Sequence, residues 1–338
     1  MNYFKNKTIL VTGATGLIGS NLVHTLMNFP NVHLLVLGRS NHKLMECFHH
    51  YLNLPNFQII AQDISKPLII EKPIDIIFHA AGPMENYIIN HYPLDVINPN
   101  IMGTTNCLEL LKNQQQYNQY PGKIIIFSSV TVYSNPDTKS RCVTEDDTAI
   151  TSPISDIKSC YSQSKRMAEI IAQAYHTQYG IDFVSARLST VYGYTYFIPD
   201  TAFFHFIKTA LQGNNINLNA STFPRRDNIY IQDAISGLLF LAQYGISGQA
   251  YNLSSNAELN NFAAVDEIAH VIASQINDIK KIHIQVNYQF KNTNIDRSHS
   301  LCLDNSKLKN LGWKLRNSLQ DGICQTIQQI IRGNAIYD

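Results

Sequence analysis

The sequence of 338 residues predicts an α/β fold, a doubly wound parallel sheet carrying a smaller C-terminal α/β substrate-binding cap. Two observations predict it. Apolar runs of strand length alternate with helical patterns up to residue 190, the pattern of parallel strands joined by crossover helices. Beyond Gly193 the composition shifts to aromatic and then polar stretches before strand and helix signals resume, as in a cap built onto a first domain.

The first element justifies the dinucleotide reading. Thr8, Ile9, Leu10 and Val11 form an apolar run that stops at Thr12; Gly13, Gly16 and Gly19 then recur every third residue, and a helical pattern begins. Glycine is needed because such a turn adopts φ > 0, lets the backbone approach a pyrophosphate and lets helix and strand pack closely. The anion would sit on free N–H groups at the positive end of the helix. With a strand before it and a helix after it, the triplet reads as a dinucleotide loop in a Rossmann-type domain. Gly13, Thr15, Gly16, Leu17 and Ile18 are its expected cofactor-binding residues.

Further strands are expected over 32–37, 57–61, 74–78, 123–127 and 181–188, with helical patterns over 101–112 and 155–179. In the second half, 194–206 is aromatic, 214–219 is turn-like, and a strand-helix unit covers 228–244. A strand near Tyr251, a helix over 262–276 and terminal helices near 305–311 and 317–332 complete the chain. The dinucleotide-binding domain is thus expected over 1–190, with 228–255 returning to it, and the cap over 191–227 and 256–338.

A formal net charge of +1, with no run rich in Lys or Arg, argues against nucleic acid or an anionic membrane as partner. The six cysteines are scattered without CxxC or zinc spacing and read as reduced residues of a cytoplasmic protein. No apolar run approaches the roughly 20 residues of a membrane span. His42, His49 and His50 lie in a polar stretch without partnered carboxylates, so no metal is expected.

Catalytic chemistry is expected where the fifth strand ends. Ser128 and Ser129 close it, and Tyr161 and Lys165 open the next helical pattern at i and i+4, on one face. An adjacent ammonium and a cationic nicotinamide both favour the phenolate of a tyrosine whose ordinary pKa is about 10. Ser129 would hold the reacting oxygen while Tyr161 exchanges its proton. The spacing alone carries little, since Tyr3 and Lys7 match it ahead of the first strand. Order along the chain supplies the specificity. The acidic run Glu145-Asp146-Asp147 reads as a solvated loop, and His79 as a residue that bonds backbone rather than catalyses.

Taken together the motifs resemble those of extended short-chain dehydrogenases/reductases of the nucleotide-sugar epimerase/dehydratase type. TGATGLIG resembles the glycine motif, FHAAG the fourth-strand motif, and Asn100 to Thr104 the asparagine-glycine-threonine motif. FSSVTVY, YSQSK, ARLSTVYG, RRDNIYIQDA and LDNSKLKNLGW resemble the serine strand, catalytic helix, sixth strand, substrate-domain arginine motif and C-terminal motif. The resemblance implies Ser129, Tyr161 and Lys165 as catalytic residues. It adds Ala80, Ala81 and Gly82 to the cofactor site, with Asp63 and Ile64 at the adenine end, where Asp63 caps either the adenine or the following turn. Thr131, Thr190, Arg226 and a second clamp, Arg297, are the implied substrate contacts. Pairing of the 101–112 and 157–175 helices into a homodimer is also implied.

Departures from the family pattern shape the expected reaction. Gly38-Arg39-Ser40 replaces the acidic ribose ligand usual after the second strand, so NADP is expected, with NAD as the alternative, and Arg39 either pairs with the 2′-phosphate or is merely exposed. Thr190 and Tyr194 replace the usual asparagine and proline of the sixth-strand motif. Val130 and Thr131 stand where dehydratases and decarboxylases carry an acid. Since neither side chain titrates, the expected reaction is hydride transfer on a nucleotide-linked sugar, as keto-sugar reductase or epimerase, and not dehydration or decarboxylation. A reductase of a non-sugar carbonyl and a non-catalytic NAD(P)-binding sensor are the rival expectations.

Overall fold

The structure, a computed structural model, describes residues 3–83, 85–133, 142–147, 153–219, 223–289, 300–333 and 336–337. Its first half alternates β1 (Thr8–Thr12), α1 (Leu17–Leu26), β2 (His33–Gly38), α2 (Asn41–Cys47), β3 (Phe57–Ala61) and β4 (Ile76–His79). Then come α3 (Asn86–His91), α4 (Pro93–Asn98), a π turn (Pro99–Gly103), α5 (Thr104–Asn118), β5 (Lys123–Ser129), α6 (Ser159–Tyr179) and β6 (Asp182–Leu188). The second half runs β7 (Thr190–Tyr192), β8 (Phe197–Ile198), α7 (Ala202–Leu211), β9 (Ile216–Leu218), β10 (Arg226–Tyr230), α8 (Ile231–Tyr244) and β11 (Gln249–Leu253). It closes with β12 (Phe262–Ala263), α9 (Val265–Lys280), β13 (Val286–Tyr288), α10 (Ser306–Asn310), α11 (Leu319–Arg332) and β14 (Ile336–Tyr337).

Seven parallel strands in the order β11-β6-β5-β4-β1-β2-β3 form the main sheet. Successive strand residues point to opposite faces, and both faces are apolar. Ile9, Val11, Leu34, Val36, Ile125 and Phe127 pack on one side; Leu10, Leu35, Leu37, Ile124 and Ile126 pack on the other. Such continuous apolar strands fit a sheet covered by helices on both sides. The second half returns to this sheet through β11, beside β6, while β12, β10 and β7 form a separate three-stranded sheet. Among the described residues no helix is long and apolar enough to cross a membrane.

Helix limits differ from the periodicity reading for local reasons. The 155–179 pattern becomes helical only at Ser159, because the Asp156 carboxylate accepts from the Lys158 amide at 3.0 Å and holds a turn there. The 262–276 pattern begins as β12, and α9 starts at Val265, where Glu267 accepts from the Ala264 amide at 2.8 Å. The 101–112 pattern starts as the π turn and runs on to Asn118.

The cysteines also correct the sequence reading. Cys142 and Cys302, separated by 160 positions, form a disulfide, while Cys47, Cys107, Cys160 and Cys324 are free thiols. Spacing could not show this pair, because the cap folds back to bring it together. Beside the bond, the Val143 amide donates to the Cys302 carbonyl at 2.8 Å and the Asp304 amide to the Val143 carbonyl at 2.8 Å.

Candidate active site

The catalytic candidates converge at the carboxyl ends of the central strands, where a parallel sheet opens its loops. Ser129 ends β5 and accepts from the Thr131 amide at 3.2 Å and the Thr131 hydroxyl at 3.0 Å. The Ser129 hydroxyl stands close enough to the Tyr161 phenol to act on its proton. One turn along α6, the Lys165 ammonium lies 5.9 Å from the Tyr161 ring centre and donates to the Phe127 carbonyl at 2.8 Å. Ser129, Tyr161 and Lys165 therefore form one cluster.

Burial pushes the Tyr161 phenol above its ordinary value; the Ser129 hydroxyl pulls it down, and the charge of Glu85 raises it again. Burial also pushes the Lys165 amine down to about 8, against the charge of Glu169. A phenol held high becomes a base only when a further cation approaches, which is what a nicotinamide ring brings.

The cofactor candidates sit on the loops that follow β1, β2, β3 and β4. Gly13 has φ +62°, and a Cβ there would stand 2.8 Å from the Ala80 carbonyl group and the Ala81 amide nitrogen. This turn brings β1 against the end of β4. Gly16 N-caps α1 without a side-chain bond, and no acid sits in the first turn, so the helix N-terminus is left open for an anion. Thr15, Leu17 and Ile18 flank it half-buried. A dinucleotide pyrophosphate fits these residues. Arg39 is exposed just beyond β2, where Ser40 caps α2 through the Lys43 amide at 3.2 Å. Ile64 is buried, while the exposed Asp63 carboxylate accepts from the Ser65 amide at 2.9 Å and so caps its own turn.

Beyond the end of β4, the Ala81 amide donates to the Thr12 hydroxyl at 3.3 Å. That hydroxyl lies 2.8 Å from His79 Nδ1, and His79 also bonds the backbone at Pro99, as the sequence reading expects. Burial first and Lys165 second push His79 down to about 3, so it stays neutral. Gly82 has φ +143°, and a Cβ there would stand 2.4 Å from Asn100 Oδ1 and 3.5 Å from Lys165 Nζ.

The substrate candidates are less closely gathered. Thr131 belongs to the Ser129 cluster. Thr190 is exposed on β7, two residues past Leu188, the sheet partner of Ser129, and pairs in register with Asn228 of β10. Arg226 is exposed at the start of β10. The Asp227 carboxylate beside it is turned inward to the Ser255 amide at 2.9 Å and the Leu303 amide at 3.2 Å. Arg297 lies outside the described residues.

Sequence reasoning missed Glu169 and Arg187. Arg187 donates to Glu169 at 2.8 to 3.2 Å, to the Tyr133 hydroxyl at 2.9 Å and to the Glu145 carbonyl at 2.9 Å. Glu145 is itself drawn in, its carboxylate accepting from the Asn252 amide at 2.7 Å, which corrects the solvated-loop reading for that residue. The missed signal was a charged residue inside the apolar sixth strand and a glutamate one turn beyond Lys165.

Residues 9–254 match the family model described as NAD dependent epimerase/dehydratase family. The chain is 29% identical over 320 residues to UDP-glucuronic acid decarboxylase 6 of Arabidopsis thaliana, covering 94% of this chain and 87% of that one. It is 28% identical to UDP-glucuronic acid decarboxylase 1 of Danio rerio, covering 96% and 73%. Among solved structures, a dTDP-glucose 4,6-dehydratase of Bacillus anthracis in complex with NAD aligns with TM-score 0.77 at 23% identity, covering 98% of each chain. A UDP-glucose 4-epimerase of Thermotoga maritima with UDP-glucose aligns with TM-score 0.77 at 20% identity, covering 96% and 99%.

The decarboxylase relatives overturn the expectation of a reductase or epimerase that neither dehydrates nor decarboxylates. The physical error lay in demanding a titratable group at Val130 or Thr131. A carboxyl group β to a ketone leaves as CO2 when the ketone takes the electron pair, and no base is needed to start it. Dehydration differs, since it must remove one proton and supply another.

Proposed function

Because the chain belongs to the NAD dependent epimerase/dehydratase family and is an NAD-dependent enzyme of the extended short-chain dehydrogenase/reductase type, we propose that it decarboxylates a UDP-linked hexuronic acid. The observation that carries this reading is the likeness to UDP-glucuronic acid decarboxylases over 94% of the chain.

Bound NAD would accept a hydride from C4 of the sugar and later return it. Tyr161 takes the C4 hydroxyl proton, and Lys165 beside it favours the phenolate. With C4 a ketone, the C6 carboxyl is β to it. The C5–C6 bond breaks, CO2 leaves, and the electron pair passes to the C4 oxygen, held by the Ser129 and Tyr161 hydroxyls. C5 then takes a proton from solvent, and Tyr161 gives its own back to the C4 oxygen as C4 is reduced. Thr131 orients Ser129 through its two hydrogen bonds and needs no charge for this. Arg226 binds the diphosphate, since guanidinium stays charged and donates in a fork.

Two finer readings accompany this. Arg39, exposed where an acid would repel a phosphate, supports NADP over NAD at the adenosine ribose. Met102 in the π turn before α5, Ile157 just ahead of α6, and Met167 and Ile170 on α6, each more than two-fifths exposed, support a homodimer through these helices.

The test is to supply UDP-glucuronate labelled at C6 and follow labelled CO2 and a UDP-pentose. Both are expected, without net consumption of cofactor. Absence of CO2 release with either NAD or NADP would overturn the proposal.

A further inference from the structure

Three residues of α6, spaced by four, reach three successive residues of β5. Tyr161 faces Ser129, Lys165 donates to the Phe127 carbonyl, and Glu169 accepts from the Ser128 hydroxyl. The spacing puts all three on one helix face. Arg187 of β6 is the in-register sheet partner of Ser128, and it holds Glu169 with three hydrogen bonds of 2.8 to 3.2 Å. Both side chains of this pair are largely buried, at 16% and 13% exposure, so their charges are weakly screened.

We propose that Glu169, fixed by Arg187, is a positioning residue: it locks Ser128 at the end of β5 beside Ser129 and sets its carboxylate one helical turn from Lys165, on the same face of α6. The argument rests on the roles given above to Ser129, Tyr161 and Lys165. Burial works against the charge of Lys165, and Glu169 is the group that opposes it. The other groups facing this cluster do not replace it. His79 of β4 is neutral, Tyr161 is a phenol above its ordinary value, Arg187 is a cation, and Glu85 after β4 acts on Tyr161. Arg187 also donates to Tyr133, whose hydroxyl bonds Asn252 Oδ1 at 2.6 Å, so the pair is anchored to β11 as well.

Glu169→Gln removes the charge and keeps a side chain that bonds Ser128. Arg187 then becomes an unpaired buried cation, so Glu169→Gln/Arg187→Met is made alongside as the variant that folds without either charge. The readout is turnover against pH, with Lys165 followed directly by 13Cε NMR of labelled lysine. In the wild type the alkaline fall should lie near the Lys165 value of about 8. In both variants it should move to lower pH by about one unit or more, since an opposite charge nearby is worth about 1–3 units. At neutral pH kcat should drop by up to about a hundredfold through lost alignment, with KM for the sugar nucleotide unchanged. A Glu169→Asp variant should recover part of both effects. An unmoved alkaline limb and an unmoved Lys165 titration in the double variant would overturn the proposal. Lys165→Met separates the underlying reading: normal turnover in it would overturn the triad itself, whereas lost turnover with unchanged Glu169 variants would sink Glu169 alone.

Discussion

The two sides of the site are held by different means. On the side proposed as catalytic, one helix face grips the end of one strand, Lys165 through the Phe127 carbonyl and Glu169 through the Ser128 hydroxyl. On the substrate side, Thr190 and Arg226 stand exposed on a small sheet built from segments far apart in the chain. The rim of that sheet is tied down where Arg226 bridges to Leu301 and Cys302 is bonded to Cys142. The contrast teaches that the cluster of Ser129, Tyr161 and Lys165 depends on helical period and strand register, while the face carrying Thr190 and Arg226 depends on long-range closure of the cap.

The sharpest way to break this contrast is Tyr161→Phe, which removes a hydroxyl and leaves the ring. Turnover should fall by about two to four orders of magnitude, the usual worth of a positioned acid or base. Cofactor affinity, measured by titration, should stay the same. Near-normal turnover would mean that the gripped strand end is not the catalytic side.

Opening the cap clamp should come next in size. Cys142→Ser should cost about 2–4 kcal/mol in chemical denaturation, because the disulfide closes a long loop in the unfolded chain. The oxidised wild type should show four free thiols and not six, by mass spectrometry after alkylation under denaturing conditions. Six thiols, or unchanged stability in the variant, would leave the cap without this tie.

Arg226→Ala tests recognition without chemistry. A charged hydrogen bond is worth about 1.5–3 kcal/mol, so KM for the sugar nucleotide should rise by roughly one to two orders of magnitude with kcat much less affected. A fall in kcat at constant KM would move Arg226 to the catalytic side.

The smallest expected effect is Arg39→Ala. An exposed ion pair is worth up to about 1 kcal/mol, so NADP(H) should bind at most roughly fivefold more weakly and NAD(H) unchanged. Equal loss for both cofactors would remove Arg39 from the ribose site.

Much of the catalytic side was legible because its information is local. The run from Thr8 to Gly19 announced strand, turn and helix, and the structure supplies the left-handed Gly13 and the uncapped helix end that go with it. Tyr161 and Lys165 were readable as one face from their spacing. Val130 and Thr131 misled for a chemical reason: the side chains were read correctly, but a β-keto acid needs less from them than a dehydration does.

By itself the sequence determined the doubly wound sheet, the glycine loop and the serine, tyrosine and lysine that meet at the end of β5, since each follows from a period of two or of 3.6 along a short stretch. Only the tertiary structure decided that Cys142 meets Cys302, that Arg187 of β6 finds Glu169 of α6, that Asp63 caps its own turn and that Asp227 faces inward. Periodicity says which face a residue occupies. It does not say which distant segment covers that face, because that partner is chosen when loops close and buried polar groups must be satisfied.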